Sequence, residues 1–182
     1  IIDAYLIGNF TTTLMGTSAD GLILPRDLDF HKDELRQNEL WVINEYNIGG
    51  RTHGGSTVTY YDAGQETQWA EYRKDSYSGH FMHTASAIAM SENGTFGNPL
   101  DCQDANNSDG YFTGPVLWDS DTSVYARANQ NGPLLGSHLD MIHQTPYGEG
   151  IASAGENVYW VFDGFHNAIV KYDFVQPHNA CP

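Results

Sequence analysis

Two stretches of this chain carry the same pattern, and that repetition limits the fold more than any single residue does. The first, LILPRDLDFHKDELRQNELWVINEYNIGGRTHGGSTVTYYDAG, covers residues 22–64, and the second, YGEGIASAGENVYWVFDGFHNAIVKYDF, covers residues 147–174. Each reads as a short apolar strand, a polar turn with Asn and Glu at its end, a strand built on Trp-Val, a Gly-containing turn, and a strand ending in Tyr-Tyr-Asp or Tyr-Asp. A unit of this size cannot cover both faces of its own small sheet. Repetition therefore predicts stacking around an axis, as in a β-propeller or a similar all-β array.

Two weaker copies lie between the clear ones. Residues 83–101, HTASAIAMSENGTFGNPLD, hold a small-residue apolar strand and the tight-turn pair Asn93-Gly94, and residues 112–130, FTGPVLWDSDTSVYARANQ, hold a strand, an Asp-Ser-Asp turn and a second strand centred on Ser123, Val124 and Tyr125. Inner strands are then expected near Pro25, Ala85, Pro115 and Gly148. Residues 1–20 suit an edge or closing strand, and HKDELRQ at 31–37 reads as a polar loop. The expectation is one all-β domain over 1–182, a β-propeller-like array of about four short antiparallel blades. Its aromatic content of 13% and its 19 Gly favour short strands and many turns over long helices.

Charge narrows the partners. Eight basic against 23 acidic residues give a formal charge of -15, which repels phosphate backbones and anionic lipid headgroups, so neither nucleic acid nor an anionic membrane surface is an expected partner. No apolar run approaches the roughly 20 residues that span a bilayer, and membrane insertion is not expected. The chain opens at Ile1 without Met, which fits either a removed leader or a piece of something longer. Pairing Cys102 with Cys181 would close a long loop and stabilise by about 4 kcal/mol in the chain-entropy model. Three Asn-x-Ser/Thr sequons, at Asn9, Asn93 and Asn106, point with that disulfide to a secreted or cell-surface glycoprotein.

The strands Asn38-Glu-Leu-Trp-Val42 and Asn157-Val-Tyr-Trp-Val161, each followed by a turn and a short strand ending in Tyr-Asp or Tyr-Tyr-Asp, resemble NHL-type β-propeller repeats. That architecture is also found in the lyase domain of peptide-amidating enzymes. The resemblance implies a six-bladed ring in the usual case, so four repeats imply either a four-bladed ring or an incomplete one whose open edges another chain covers.

The histidines are the sharpest chemical feature. His80 and His83 precede one expected inner strand, His138, Asp140 and His143 precede another, and His166 follows a turn. Residues just before inner strands face the channel of a propeller, so His83, His143 and either His138 or His166, with Asp140, form a candidate Zn or other divalent-metal site. The resemblance implies the same, since the amidating lyases hold a metal by such histidines at the channel. The competing reading is that these side chains hydrogen-bond backbone between blades. His31, His53 and His178 are expected in exposed loops. Asp101, Asp104, Asn106, Ser108 and Asp109, with Asp119 and Asp121, offer hard oxygen ligands for Ca, although their spacing is not that of an EF-hand.

No Gly-x-Ser-x-Gly elbow and no phosphate-binding loop is present. Tyr46, Tyr60, Tyr61, Trp69, Tyr72 and Tyr77 cluster around the first repeat and suit stacking on glycans or anchoring a protein contact, while Trp41 and Trp160 suit packing between blades. The expected function is a secreted, glycosylated binding or self-assembly module of an extracellular filament or matrix, its partners further copies of itself or another extracellular protein. The alternative is a metal-dependent lyase using the His cluster, with a Tyr as acid/base.

Overall fold

The computed structural model describes residues 12–48, 54–105, 113–129, 133 and 135–175. Among the described residues eleven strands form three antiparallel sheets, with almost no helix. The first sheet is an up-and-down meander of β1 (Pro25–Phe30), β2 (Leu40–Asn44), β3 (Ser56–Tyr61) and β4 (Trp69–Arg73). The second repeats that order with β5 (Ala89–Met90), β6 (Thr95–Asn98), β7 (Val116–Asp119) and β8 (His138–Met141), and the third consists of β9 (Ile151–Ser153), β10 (Val158–Asp163) and β11 (Ala168–Asp173). One short helix, α1 (Ser78–Phe81), links the first sheet to the second. No helix among the described residues is long and apolar enough to cross a membrane.

The two clear sequence copies fold alike, each providing the first three strands of its sheet. The middle of the chain differs from the sequence expectation. Residues 83–101 and 112–130 do not make two units: they supply β5, β6 and β7 of a single sheet, with Phe96 opposite Trp118 and Gly97 opposite Leu117. The segment around Ser123, expected as a strand, is a turn in which Val124 and Tyr125 both donate to the Asp121 carbonyl. Asp119 and Asp121 start that turn by accepting the Asp121 and Ser123 N–H groups, each at 2.8 Å. Acidic side chains that bond the backbone two residues on favour turns over strands.

The sheets stack face to face. Strand alternation sends Trp41 and Ile43 of β2 toward the second sheet, where they join Met90, Phe96, Val116 and Trp118 in the largest core cluster. Trp41 meets Phe96 at 5.4 Å and Tyr125 at 5.7 Å between ring centroids. The opposite face of the second sheet meets the third through Ala89 and Leu117 packed with Tyr159 and Val161. Gly97 permits that approach, because a Cβ there would lie 2.8 Å from the Ile151 Cδ1 and 3.3 Å from the Tyr159 ring. Val42, Val58 and Tyr60 lie on the far face of the first sheet, partly covered by Leu22 from the preceding segment.

First strands sit side by side, β1 against β5 and β5 against β9. The edge of β5 leaves backbone N–H groups with no strand to accept them. Asp27 and Asp29, two apart on β1 and so on one face, accept from Ile88 N at 3.0 Å and Met90 N at 2.9 Å. His31, expected in an exposed loop, is instead only 2% exposed. Its Nδ1 accepts from Asp33 N at 3.1 Å, so the protonated Nε2 donates to the Ser120 Oγ at 2.8 Å and ties the loop after β1 to the end of β7.

Candidate functional site

The repeated strand motif gives an internal comparison. Leu40-Trp41-Val42-Ile43-Asn44 and Tyr159-Trp160-Val161-Phe162-Asp163 both form the second strand of a sheet. In each sheet the Trp pairs with a residue of the first strand and one of the third: Trp41 with Asp29 and Thr59, Trp160 with Ala152 and Lys171. Trp160 therefore stands where Trp41 stands, and Phe162 where Ile43 stands.

Their environments are opposite. Trp41 and Ile43 are fully buried beneath the second sheet, whereas Trp160 is 46% and Phe162 52% exposed. Ile169 on β11 adjoins them at 65% exposure, and these three with Gly150 and Ala152 line an open, mainly apolar pocket of about 340 Å³. Lys171 extends over the Trp160 ring at 5.8 Å, and the aliphatic stem of a lysine adds apolar surface there. Apolar residues scattered singly on a surface are ordinary, whereas here core-type side chains adjoin one another on one sheet face.

A second bare group lies at the other end of the stack. Leu28 and Phe30 of β1, 56% and 46% exposed, point to the side away from the second sheet, with Val42 behind Leu28 in the strand register. Between the ends, the first strands enclose a crevice of about 390 Å³ bordered by Asp27, Asp29, Lys32, Met90 and Ser153. Both Asp carboxylates are engaged there by backbone N–H groups, and Lys32 Nζ reaches Asp29 Oδ1 at 2.8 Å.

The histidines expected as ligands are spread over several contacts. His138 is buried, stacks on Phe81 at 3.7 Å, and donates from Nδ1 to the Leu135 carbonyl at 2.7 Å; burial lowers its pKa. His83 Nδ1 lies 3.2 Å from the Gly79 carbonyl. Asp140 accepts from Met141 N at 2.7 Å, and His166 pairs through Nδ1 with the buried Asp163 carboxylate at 2.6 Å. The structure brings His143 and His166 to one cavity of about 480 Å³, together with Phe165 and Pro146. Among the described residues no three His, Cys, Asp or Glu side chains are grouped to hold a metal ion. Of the acidic loop proposed for Ca, Asn106, Ser108 and Asp109 lie outside the described residues.

Asn93 stands exposed at the β5–β6 turn, its amide donating to Asn157 Oδ1 at 2.8 Å and its Oδ1 accepting from the Thr95 hydroxyl at 2.8 Å. Asn9 and Asn106 lie outside the described residues, as do Cys181, His53 and His178. Cys102 forms no disulfide among the described residues; its Sγ lies 3.5 Å from the Thr113 hydroxyl, and burial raises its pKa. In the aromatic cluster, Tyr60 is buried, and Tyr61 stacks on the exposed Trp69 at 4.1 Å. Sequence reasoning placed Trp160 between sheets and so missed the bare face. The repeat itself was the available signal, since it lets Trp160 be compared with Trp41 position by position. No protein-family model matches the chain, and no curated protein matches it.

Proposed function

We propose that this chain is a binding or self-assembly module of an extracellular structure, built from propeller-type blades, with the open face of the third sheet as its contact surface. The carrying observation is the exposure of Trp160 and Phe162, with Ile169 beside them, at positions whose counterparts in the first sheet, Trp41 and Ile43, are core. The blade reading draws support from the repeated meander order and from first strands that sit side by side along one edge of the stack. The exposed Asn93 sequon at a turn tip supports a glycosylated, secreted chain. Light scattering and electron microscopy of native material test the reading. Closed rings or extended polymers are expected, and a compact monomer of the chain's own mass overturns the assembly function.

The lyase alternative rests on the cavity shared by His143 and His166. It requires stoichiometric bound metal that is lost in a His143→Ala variant, and metal-free native protein removes it.

A further inference from the structure

We infer that the crevice along β9 takes an extended basic segment of a partner protein, which adds to the open edge of β9 as a further strand. This site lies on the edge of the third sheet, apart from the sheet face proposed above as the contact surface, and stands or falls without it.

The carrying observation is a difference between two junctions of the same design. Where β1 meets β5, the backbone N–H groups of Ile88 and Met90 point off the sheet edge, and the carboxylates of Asp27 and Asp29 accept them. The first hairpin of each sheet closes on one bond, from the N–H of His31, Ser91 and Ala154 to the carbonyls of Glu39, Thr95 and Val158. Counted back from that bond, Ala87 and Ala89 of the second sheet stand where Asp27 and Asp29 stand in the first. By the same count Ile151 and Ser153 of β9 stand where Ile88 and Met90 stand in the second.

An alanine side chain accepts no hydrogen bond, so the second junction lacks the device of the first. In an antiparallel pair, alternate residues bond to the partner strand. Gly150 accepts from Phe162 N and Ala154 donates to the Val158 carbonyl, so Ile151 and Ser153 direct their N–H and C=O groups away from β10. They border the crevice of about 390 Å³ shared with β1 and β5. Among the described residues nothing accepts from either N–H. The junction is tied at its ends, by Ser86 Oγ donating to the Gly148 carbonyl and by Ser153 Oγ donating to Ser91 Oγ at 3.2 Å.

An extended peptide supplies what this edge lacks. Its carbonyls recur at every second residue with the spacing of Ile151 and Ser153, and its own N–H groups reach their carbonyls, as in strand addition to a sheet edge. Charge sets the sign of its side chains. Asp27 and Asp29 border the crevice, Glu92 follows β5, and Glu149 and Glu156 flank β9. Lys32 and Arg26 are each held by a carboxylate already. Lysine or arginine on the added strand is attracted to that rim, and an acidic segment is repelled by it.

Two capped peptides, Lys-Thr-Lys-Thr-Lys-Thr and Glu-Thr-Glu-Thr-Glu-Thr, titrated into the isotope-labelled full chain and followed by amide NMR, test this. The lysine peptide is expected to shift the Ile151 and Ser153 amides and to bind about tenfold or more tighter than the glutamate peptide. Ser153→Pro removes one edge donor without touching the ladder to β10, and Ser153→Ala keeps it; thermal melting verifies that both fold. The proline variant is expected to bind the lysine peptide about tenfold more weakly, and the alanine variant within about twofold of the wild type. No shift at Ile151 and Ser153 with either peptide overturns the inference and leaves this edge to solvent. Binding that the folded proline variant retains in full overturns it too, since that is adhesion to the acidic surface at large. Equal binding of the two peptides overturns the choice of a basic partner.

Discussion

Replacing each of the two equivalent tryptophans by alanine, in separate variants studied as dilute monomers, measures what the following sheet contributes. A tryptophan side chain covers about 150–250 Å² when buried. At about 25 cal/mol per Å² its complete burial is worth about 4–6 kcal/mol, and large-to-small core substitutions of aromatic residues cost about 3–5 kcal/mol. Trp41 is fully buried and also donates from its indole N–H to Glu39 Oε2 at 3.3 Å, so Trp41→Ala belongs at the upper part of that range. Trp160 keeps 46% of its surface exposed, which scales the burial term to about half and gives about 2 kcal/mol for Trp160→Ala. The expected gap is about 2–3 kcal/mol, or about 5–10 °C in Tm for a chain of this size. Urea unfolding followed by circular dichroism reads it directly, as a lower midpoint at unchanged slope. Equal losses for the two variants would refute the reasoning, because they would mean that the third-sheet face is already covered within the monomer.

The carboxylates of β1 should matter through the backbone they satisfy. Asp27→Ala leaves Ile88 N–H without its side-chain acceptor and is expected to cost about 1.5–3 kcal/mol by urea titration, with Asp27→Asn recovering part of it through its own carbonyl; an unchanged midpoint in Asp27→Ala would show that the bond does not tie the sheets. Acid should weaken the fold through His31. Burial, followed by the nearby Arg36 charge, lowers its pKa from 6.5, so the unfolded chain takes up the proton first and stability falls as pH drops below about 6.5. His138 shifts in the same direction through burial. Each such imidazole contributes at most about 1.4 kcal/mol per pH unit in that window. The decisive comparison is with His31→Gln, whose stability should decline less between neutral and acidic pH; an equal slope would remove His31 from the account. Gly54 has φ +77°, and a Cβ there would meet the Ser78 carbonyl oxygen at 1.9 Å. Gly54→Ala should therefore cost about 1–3 kcal/mol or prevent folding, and a stability within experimental error of the wild type would contradict that packing.

Local pattern in the sequence was enough to read the all-β class, the two clear repeats with their strand order, and the turns at Asn93-Gly94 and 31–37, because alternation and turn chemistry act within a few residues. Trp41 was legible as core for the same reason. The repeat units were not all legible: β5 has only two residues and β6 and β7 four each, too short for periodicity to show that they share one sheet. His31 looked exposed because its neighbours are polar, and only Ser120, 89 positions away, reveals a buried partner. The histidine set marked residue types suited to metal, but convergence in space depends on pairing between distant strands. Trp160 makes the division plainest. Its motif determines a strand with a large apolar side chain on the forward face, while place in the stack decides whether a neighbour covers it, since burial depends on what lies across the face and a strand's sequence encodes only its own side.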